Sequence, residues 1–212
     1  IDSLKKVKEI DEIVLAISDK KVNSIYKDIA KQNNIKFIYG SDENVLLRLI
    51  KSCTSVNGTD IFRVTTESPF LMYEEVERAW KIHKKDGNDL TAIDKVPDGS
   101  GFEIIKLEAY KKSNKFGKKK HKSEYCSLFI RENKKNFKIY KLIVNKFFLR
   151  TDIRLTADYP EDLILLRNIY NKFKKFYPKI PLRKIIKYLD KNPNLHKIVA
   201  KYVESGLKSM YL

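Results

Sequence analysis

Two carboxylates stand where strand-like runs stop: Glu67, shortly after "DIFRVT" (60–65), and Asp158, after the alternation of Ile153, Leu155 and Ala157. A pair of hard carboxylate oxygens suits Mg2+, which takes a few such ligands and keeps the rest of its shell for water and phosphate. The same residue type also caps helices, where it accepts backbone N–H groups at the first turn. Asp158 is followed by Pro160, Glu161 and Asp162. Proline fits a first helical position because its missing N–H would lack a partner there, and acids favour the positive end of the helix dipole. Residue types alone leave both roles, ion ligand and helix cap, open for Glu67 and Asp158.

Other chemistries lack their spacing. The chain has no Walker loop, GxGxxG, HExxH or CxxC, and no Ser-His-Asp arrangement. His83, His121 and His196 fall at helix ends or in basic runs, where surface roles are expected. Cys53 and Cys126 sit in unrelated segments without metal-ligand spacing, which implies a reduced, cytoplasmic setting.

The elements that must position the carboxylates alternate. "EIVLAIS" (12–18), "IKFIYG" (35–40) and "DIFRVT" (60–65) read as strands, each followed by a helical stretch, the second carrying Val45, Leu46, Leu49 and Ile50. This rhythm implies a mostly parallel sheet with helices on both faces, a three-layer α/β/α arrangement. "DLTAI" (89–93), "FEIIKL" (102–107) and "FKIYKLIV" (137–144) read as added or edge strands, with a helix near 123–133. The run 152–157 reads as a further parallel strand feeding a helix with Leu163, Leu166, Ile169, Tyr170 and Phe173 on one stripe. Ligands of such sheets bind past the carboxyl ends of the strands. Those places hold Ser18 and Asp19, Gly40 to Asp42, Glu67 and Ser68, Asp94 to Gly99, and Asp158. After "YPKIP" (177–181), stripes of Leu182, Ile185, Ile186 and Leu189 and of Leu195, Ile198, Val199 and Tyr202 predict a terminal helical hairpin over 179–212, packed on this chain's own helices or on a second copy in a homodimer.

A chain of 212 residues with 42% hydrophobic content is long enough for one α/β core with a small appendage. No run approaches the ~18 apolar residues of a membrane span, and no signal peptide opens the sequence. The net charge of +17 points at face value to a polyanion. Arginine, however, supplies only eight of the 44 basic residues, and the lysines are spread along every segment. Phosphate-clamping and base-reading surfaces favour the arginine fork, so no specific nucleic-acid partner is expected. The one dense run, "KFGKKKHK" (115–122), reads as a solvated loop.

Five segments, in order, resemble the cytidylyltransferase family that includes spore coat polysaccharide biosynthesis-type proteins and the CMP-sugar synthetases for acylneuraminate and Kdo. "YGSDENVLLR" (39–48) is similar to its GS-x-DVL-x-R, "RVTTESPFL" (63–71) to R-x-TGDCPL, and "PDGSGFEI" (97–104) to PDG-x-D-x-E. "HKSEYCSLFIRENKKNFKI" (121–139) is similar to EHVTPYI-x-EN, and "RLTADYPEDLILLRNIY" (154–170) to RLT-V-D-x-PED-x-x-x-I. The resemblance covers about residues 5 to 200.

It implies a Rossmann-like nucleotidyltransferase that transfers CMP from CTP to a sugar or sugar acid with Mg2+ or another divalent cation. Glu67 and Asp158 fall on the family's metal-side carboxylates. Gly40, Ser41, Asp42 and Arg48 fall toward the nucleotide, and Asp98, Glu103 and Glu124 toward the acceptor. Two departures stand out. The family's Gly-Asp is Thr66-Glu67 here, and "IDSLKKVKEIDEIVLAIS" matches the part after the family's phosphate-cradling loop, so residues 1–178 read as the domain short of one βα unit. The competing expectation is a non-catalytic scaffold or polyanion-binding module on the same sheet.

Overall fold

In the computed structural model, which describes residues 1–204 and 206, the first two strands form a pair of their own. β1 (Val14–Ser18) runs parallel to β2 (Lys36–Gly40) in register from Val14–Lys36 to Ser18–Gly40, with α1 (Ile25–Gln32) as the crossover. Helix α2 (Val45–Thr54) follows, and the Asn44 side chain caps it by accepting from the Leu47 N–H at 2.9 Å. Its apolar stripe buries Leu46, Ile50 and Cys53.

A second sheet carries β3 (Asp60–Arg63), β4 (Leu90–Ala92), β5 (Glu103–Lys106) and β6 (Ile139–Lys141) in the order β3-β5-β4-β6. β5 is antiparallel to both β3 and β4, whereas β4 and β6 are parallel. Three of its four strands therefore run one way, and β5 alone runs against them. The buried run Leu90, Thr91 and Ala92 and the fully buried Ile104 and Ile105 mark β4 and β5 as inner strands covered on both faces. The helices α3 (Val76–Asp86), α4 (Leu107–Phe116) and α5 (Leu128–Glu132) flank this sheet.

The stretch 152–157 departs from the expected strand. It meets its neighbours at single points: an isolated parallel bridge joins Arg154 to Asp98, and the Ala157 N–H donates to the Glu67 carbonyl at 3.0 Å. Its alternation still holds, with Ile153 and Leu155 facing the core at 1% and 0% exposure. The partner explains the missing ladder. Gly99 turns away with φ of +81°, and a side chain there would stand 2.8 Å from the Leu155 carbonyl carbon, so the two backbones touch and separate within one rung.

Helix α6 (Pro160–Phe173) starts at Pro160 as expected. Its N-cap position is Tyr159, and Asp162 in the first turn reaches back, its Oδ2 accepting from the N–H groups of Asp158 and Tyr159 at 2.9 and 3.0 Å. In α7 (Leu182–Lys191), Leu182, Ile185, Ile186 and Leu189 are all buried in the same cluster as Phe70, Met72 and Ile104. α8 (Pro193–Lys197) and a turn at Ala200–Tyr202 complete the described chain, with Leu195, Ile198 and Tyr202 packed on that cluster. The stripes therefore cover this chain's own core. Among the described residues no helix is long and apolar enough to cross a membrane.

Candidate functional site

β1 and β3 belong to separate sheets, and between them lies a cavity of about 1430 Å3. Its walls include Val14, Leu15 and Ala16 from β1, Ile61 and Phe62 from β3, Leu49 and Cys53 from α2, and Leu166 and Tyr170 from α6. Polar groups join them: Asp42, Arg48, Arg63, Thr65 to Ser68, and Glu124. A mostly apolar space with a few oriented polar groups has the character of a substrate site, and this one is larger than a single small molecule fills.

Of the residues expected toward the nucleotide, Gly40 ends β2, Ser41 and Asp42 follow it and Arg48 stands on α2, and Asp42 and Arg48 line the cavity. Arg48 lies across Gly40, where an added Cβ would come within 3.1 Å of the arginine Cγ. Its Nη1 donates to the Ser41 carbonyl at 3.0 Å, and its buried Nε has no hydrogen-bond partner. Asp42 pairs with Lys20 at 2.6 Å, and that contact, with the Ser18 hydroxyl, holds its carboxyl below the usual range.

The segments that carry Glu67 and Asp158 meet through one backbone hydrogen bond; Glu67 lines the cavity, and Asp158 follows Ala157, which also lines it. The Ala157-to-Glu67 bond places Glu67 and Asp158 one position out of register. Asp158 does not cap the helix: Tyr159 occupies the N-cap position, and the Asp158 N–H donates to Asp162 Oδ2. Asp158 keeps a half-exposed side chain, 47% accessible, with Oδ2 taken by Arg154 Nη2. Among the described residues no three His, Cys, Asp or Glu side chains gather in metal-ligand fashion. A pair of carboxylates fits a hard ion that draws its remaining ligands from phosphate and water.

The acceptor-side residues separate. Glu124 is exposed and lines the cavity, and its carbonyl accepts from Arg63 Nη2 at 2.7 Å. Glu103 is tied up: Oε1 accepts from Ser127 Oγ at 2.6 Å and Arg131 Nη2 at 2.9 Å, and Arg63 Nη1 lies 3.5 Å from Oε2. Arg131 also grips Asp94 through both terminal nitrogens, and Lys141 reaches the same carboxylate at 2.7 Å. Although burial alone would raise it, the Asp94 carboxyl is held below its ordinary range by these two cations. Asp98 does not reach the cavity. It is 7% exposed, its Oδ2 accepts from Arg154 Nη1 at 3.0 Å, and burial pushes its carboxyl upward.

Arg63, Arg131, Arg154 and Asp162 carry much of this geometry, and residue spacing had not singled them out. The available signal was a cation inside an apolar alternation, as Arg154 between Ile153 and Leu155. Two histidines correct the surface expectation. His83 is fully buried, with Nε2 3.1 Å from Asp60 Oδ1 and Nδ1 3.0 Å from Thr91 Oγ1. His121 is 4% exposed, and its Nε2 lies 2.8 Å from Glu132. Both answer to structural partners, and Asp60, the partner of His83, also lines the cavity. The thiols of Cys53 and Cys126 are buried, and burial pushes each up to about 11.

Mixed sheets covered by helices, with charged loops gathered beside the β1–β3 cavity, define an α/β Rossmann-like nucleotidyltransferase fold. A solved cytidylyltransferase from Leptospira borgpetersenii superposes with a TM-score of 0.81 at 19% identity, covering 91% of this chain and 82% of that one. The 4-diphosphocytidyl-2C-methyl-D-erythritol synthase of Anaerococcus prevotii superposes at 0.57 and 17% identity, covering 80% and 86%. The cytidylyltransferase family model matches residues 1–203, and the chain belongs to that family. Among curated relatives, an uncharacterized protein of Methanocaldococcus jannaschii is 27% identical over 198 residues, 93% of this chain and 81% of that protein. The spore coat polysaccharide biosynthesis protein SpsF of Bacillus subtilis is 26% identical over 188 residues, 88% and 78% of the two chains.

Proposed function

We propose that this protein transfers CMP from CTP to a sugar or sugar acid destined for a surface polysaccharide or glycan. The observation that supports the reading is the backbone hydrogen bond at 3.0 Å between Ala157 and Glu67, which joins the two carboxylate-bearing segments at a cavity lined by Ala157, Glu67, Asp42 and Arg48. In the transfer, an acceptor hydroxyl oxygen bonds to the α-phosphorus, the bond to the pyrophosphate bridging oxygen breaks, and the hydroxyl proton passes to water. Glu67 and Asp158 would hold Mg2+, which supplies neutralising charge for the phosphate oxygens and the departing pyrophosphate. Arg48 brings a fixed guanidinium toward the nucleotide, and its unpartnered buried Nε is a donor that calls for an acceptor. Glu124, exposed on the cavity wall, presents a carboxylate to acceptor hydroxyls. The apolar walls from α2 and α6 lower the local dielectric beside these groups, which strengthens each of these electrostatic contacts.

Pyrophosphate release tests this. The purified protein is incubated with CTP, Mg2+ and a panel of neutral sugars and sugar acids. Release that requires one acceptor class and falls when UTP or ATP replaces CTP is the expected result. Absence of acceptor-dependent release across the panel would count against the assignment.

A further inference from the structure

We propose that Arg154 is a positioning residue that sets the carboxylate of Asp158 for a divalent ion, an inference that rests on reading Asp158 as an ion ligand. Arg154 is 3% exposed and spends its donors on three carboxylates. Nε and Nη2 grip Asp162 at 2.9 Å each, Nη1 grips Asp98 at 3.0 Å, and Nη2 also reaches Asp158 Oδ2. The planar fork fixes these directions, and a lysine ammonium cannot reproduce them. Asp162 is itself fixed by the N–H groups of Asp158 and Tyr159, and Asp98 by backbone bonds to both Ile153 and Leu155, so the guanidinium sits in a rigid frame.

The opposite face is closed as well. The rings of Tyr159 and Tyr202 stack at 3.9 Å and 7°, with the guanidinium carbon 5.6 and 5.9 Å from their centres. Gly206 packs so closely that a side chain there would stand 2.6 Å from Asp98 Oδ2. Within this frame Asp158 is the one exposed carboxylate. Arg154 holds one of its oxygens and leaves Oδ1 without a hydrogen bond from the described residues, on a segment joined to that of Glu67 by the Ala157 backbone bond. A buried partner that orients a ligating carboxylate this way is worth about 10–100-fold in metal affinity.

The sign of the effect separates positioning from plain electrostatics. A cation beside Asp158 repels a metal ion, so on charge alone Arg154→Gln should tighten binding and Arg154→Lys should leave it unchanged. Positioning demands that both weaken it. Mn2+ alone is titrated into the folded protein and the free ion is followed by electron paramagnetic resonance, with folding checked by circular dichroism. The expected result is a loss of about tenfold or more in Mn2+ affinity for both variants. Should either fail to fold, Asp162→Asn keeps Arg154 in place but weakens its seating, and a smaller loss in the same direction is expected. Unchanged or tighter binding in the variants that fold, with Asp158→Asn weakened, overturns the positioning role alone. Binding unchanged in Asp158→Asn overturns the ion-ligand reading and this inference with it.

Discussion

Asp158→Asn is expected to slow CMP transfer about thousandfold, because a metal ion acting on phosphate oxygens is worth several kcal/mol and each 1.36 kcal/mol is about tenfold in rate. The amide keeps the shape and can still offer an oxygen to Arg154 Nη2, so the protein should remain folded. What it loses is the negative charge on a half-exposed group, 47% accessible, on the segment bonded to Glu67. Glu67→Gln should act in the same direction, since that residue lines the cavity directly. Steady-state kinetics with saturating CTP would show the drop in kcat with little change in melting temperature. Near wild-type turnover in Asp158→Asn would remove that carboxylate from the reaction.

The largest effect on folding is expected one helical turn further on, at Asp162. This side chain is 1% exposed and accepts four hydrogen bonds, two from Arg154 and two from backbone N–H groups at the start of α6. Asp162→Ala would leave a buried guanidinium short of its main partner, a loss of about 3–5 kcal/mol. At about 2–4 °C per kcal/mol for a chain of this size, the melting temperature should fall by about 6–20 °C. The pH dependence follows in sign. Burial would raise the Asp162 carboxyl, but Arg154 and the two N–H groups outweigh it and hold the group below its ordinary value. A depressed carboxylate contributes stability that is present above the unfolded value near 3.9 and is lost as pH falls through the folded one. Thermal melts from about pH 7 down to about pH 2 should therefore show the gap between wild type and Asp162→Ala narrowing below about pH 4. A constant gap across that range would contradict the account.

Much of the fold was legible because hydrophobic period and turn chemistry act locally. β1, β2 and α2 fall where the apolar runs placed them, and Pro160 begins α6 as its missing N–H requires. The direction of β5 and the single-rung bridge at Asp98 and Arg154 depend on partners far apart in sequence, and residue periodicity carries no information about those. The same limit applies to the site. Asp42, Arg48, Glu67 and Glu124 were placed by their positions at strand ends or in motifs, and all four line the cavity. Asp98 and Glu103 looked equally available as carboxylates, yet Arg154, Arg63 and Arg131 hold them from across the fold. Only the folded chain shows which acids are already paired.

The central claim, that Glu67 and Asp158 hold an ion for a nucleotide seated in the β1–β3 cavity, is tested most directly by anomalous diffraction from crystals of the protein grown with CTP and Mn2+. The account predicts an anomalous peak within about 2.2 Å of a carboxylate oxygen of each residue, with an α-phosphate oxygen of CTP on the same ion and the cytosine toward Arg48. A peak elsewhere on the surface, or CTP bound with both carboxylates remote from its phosphates, would contradict it.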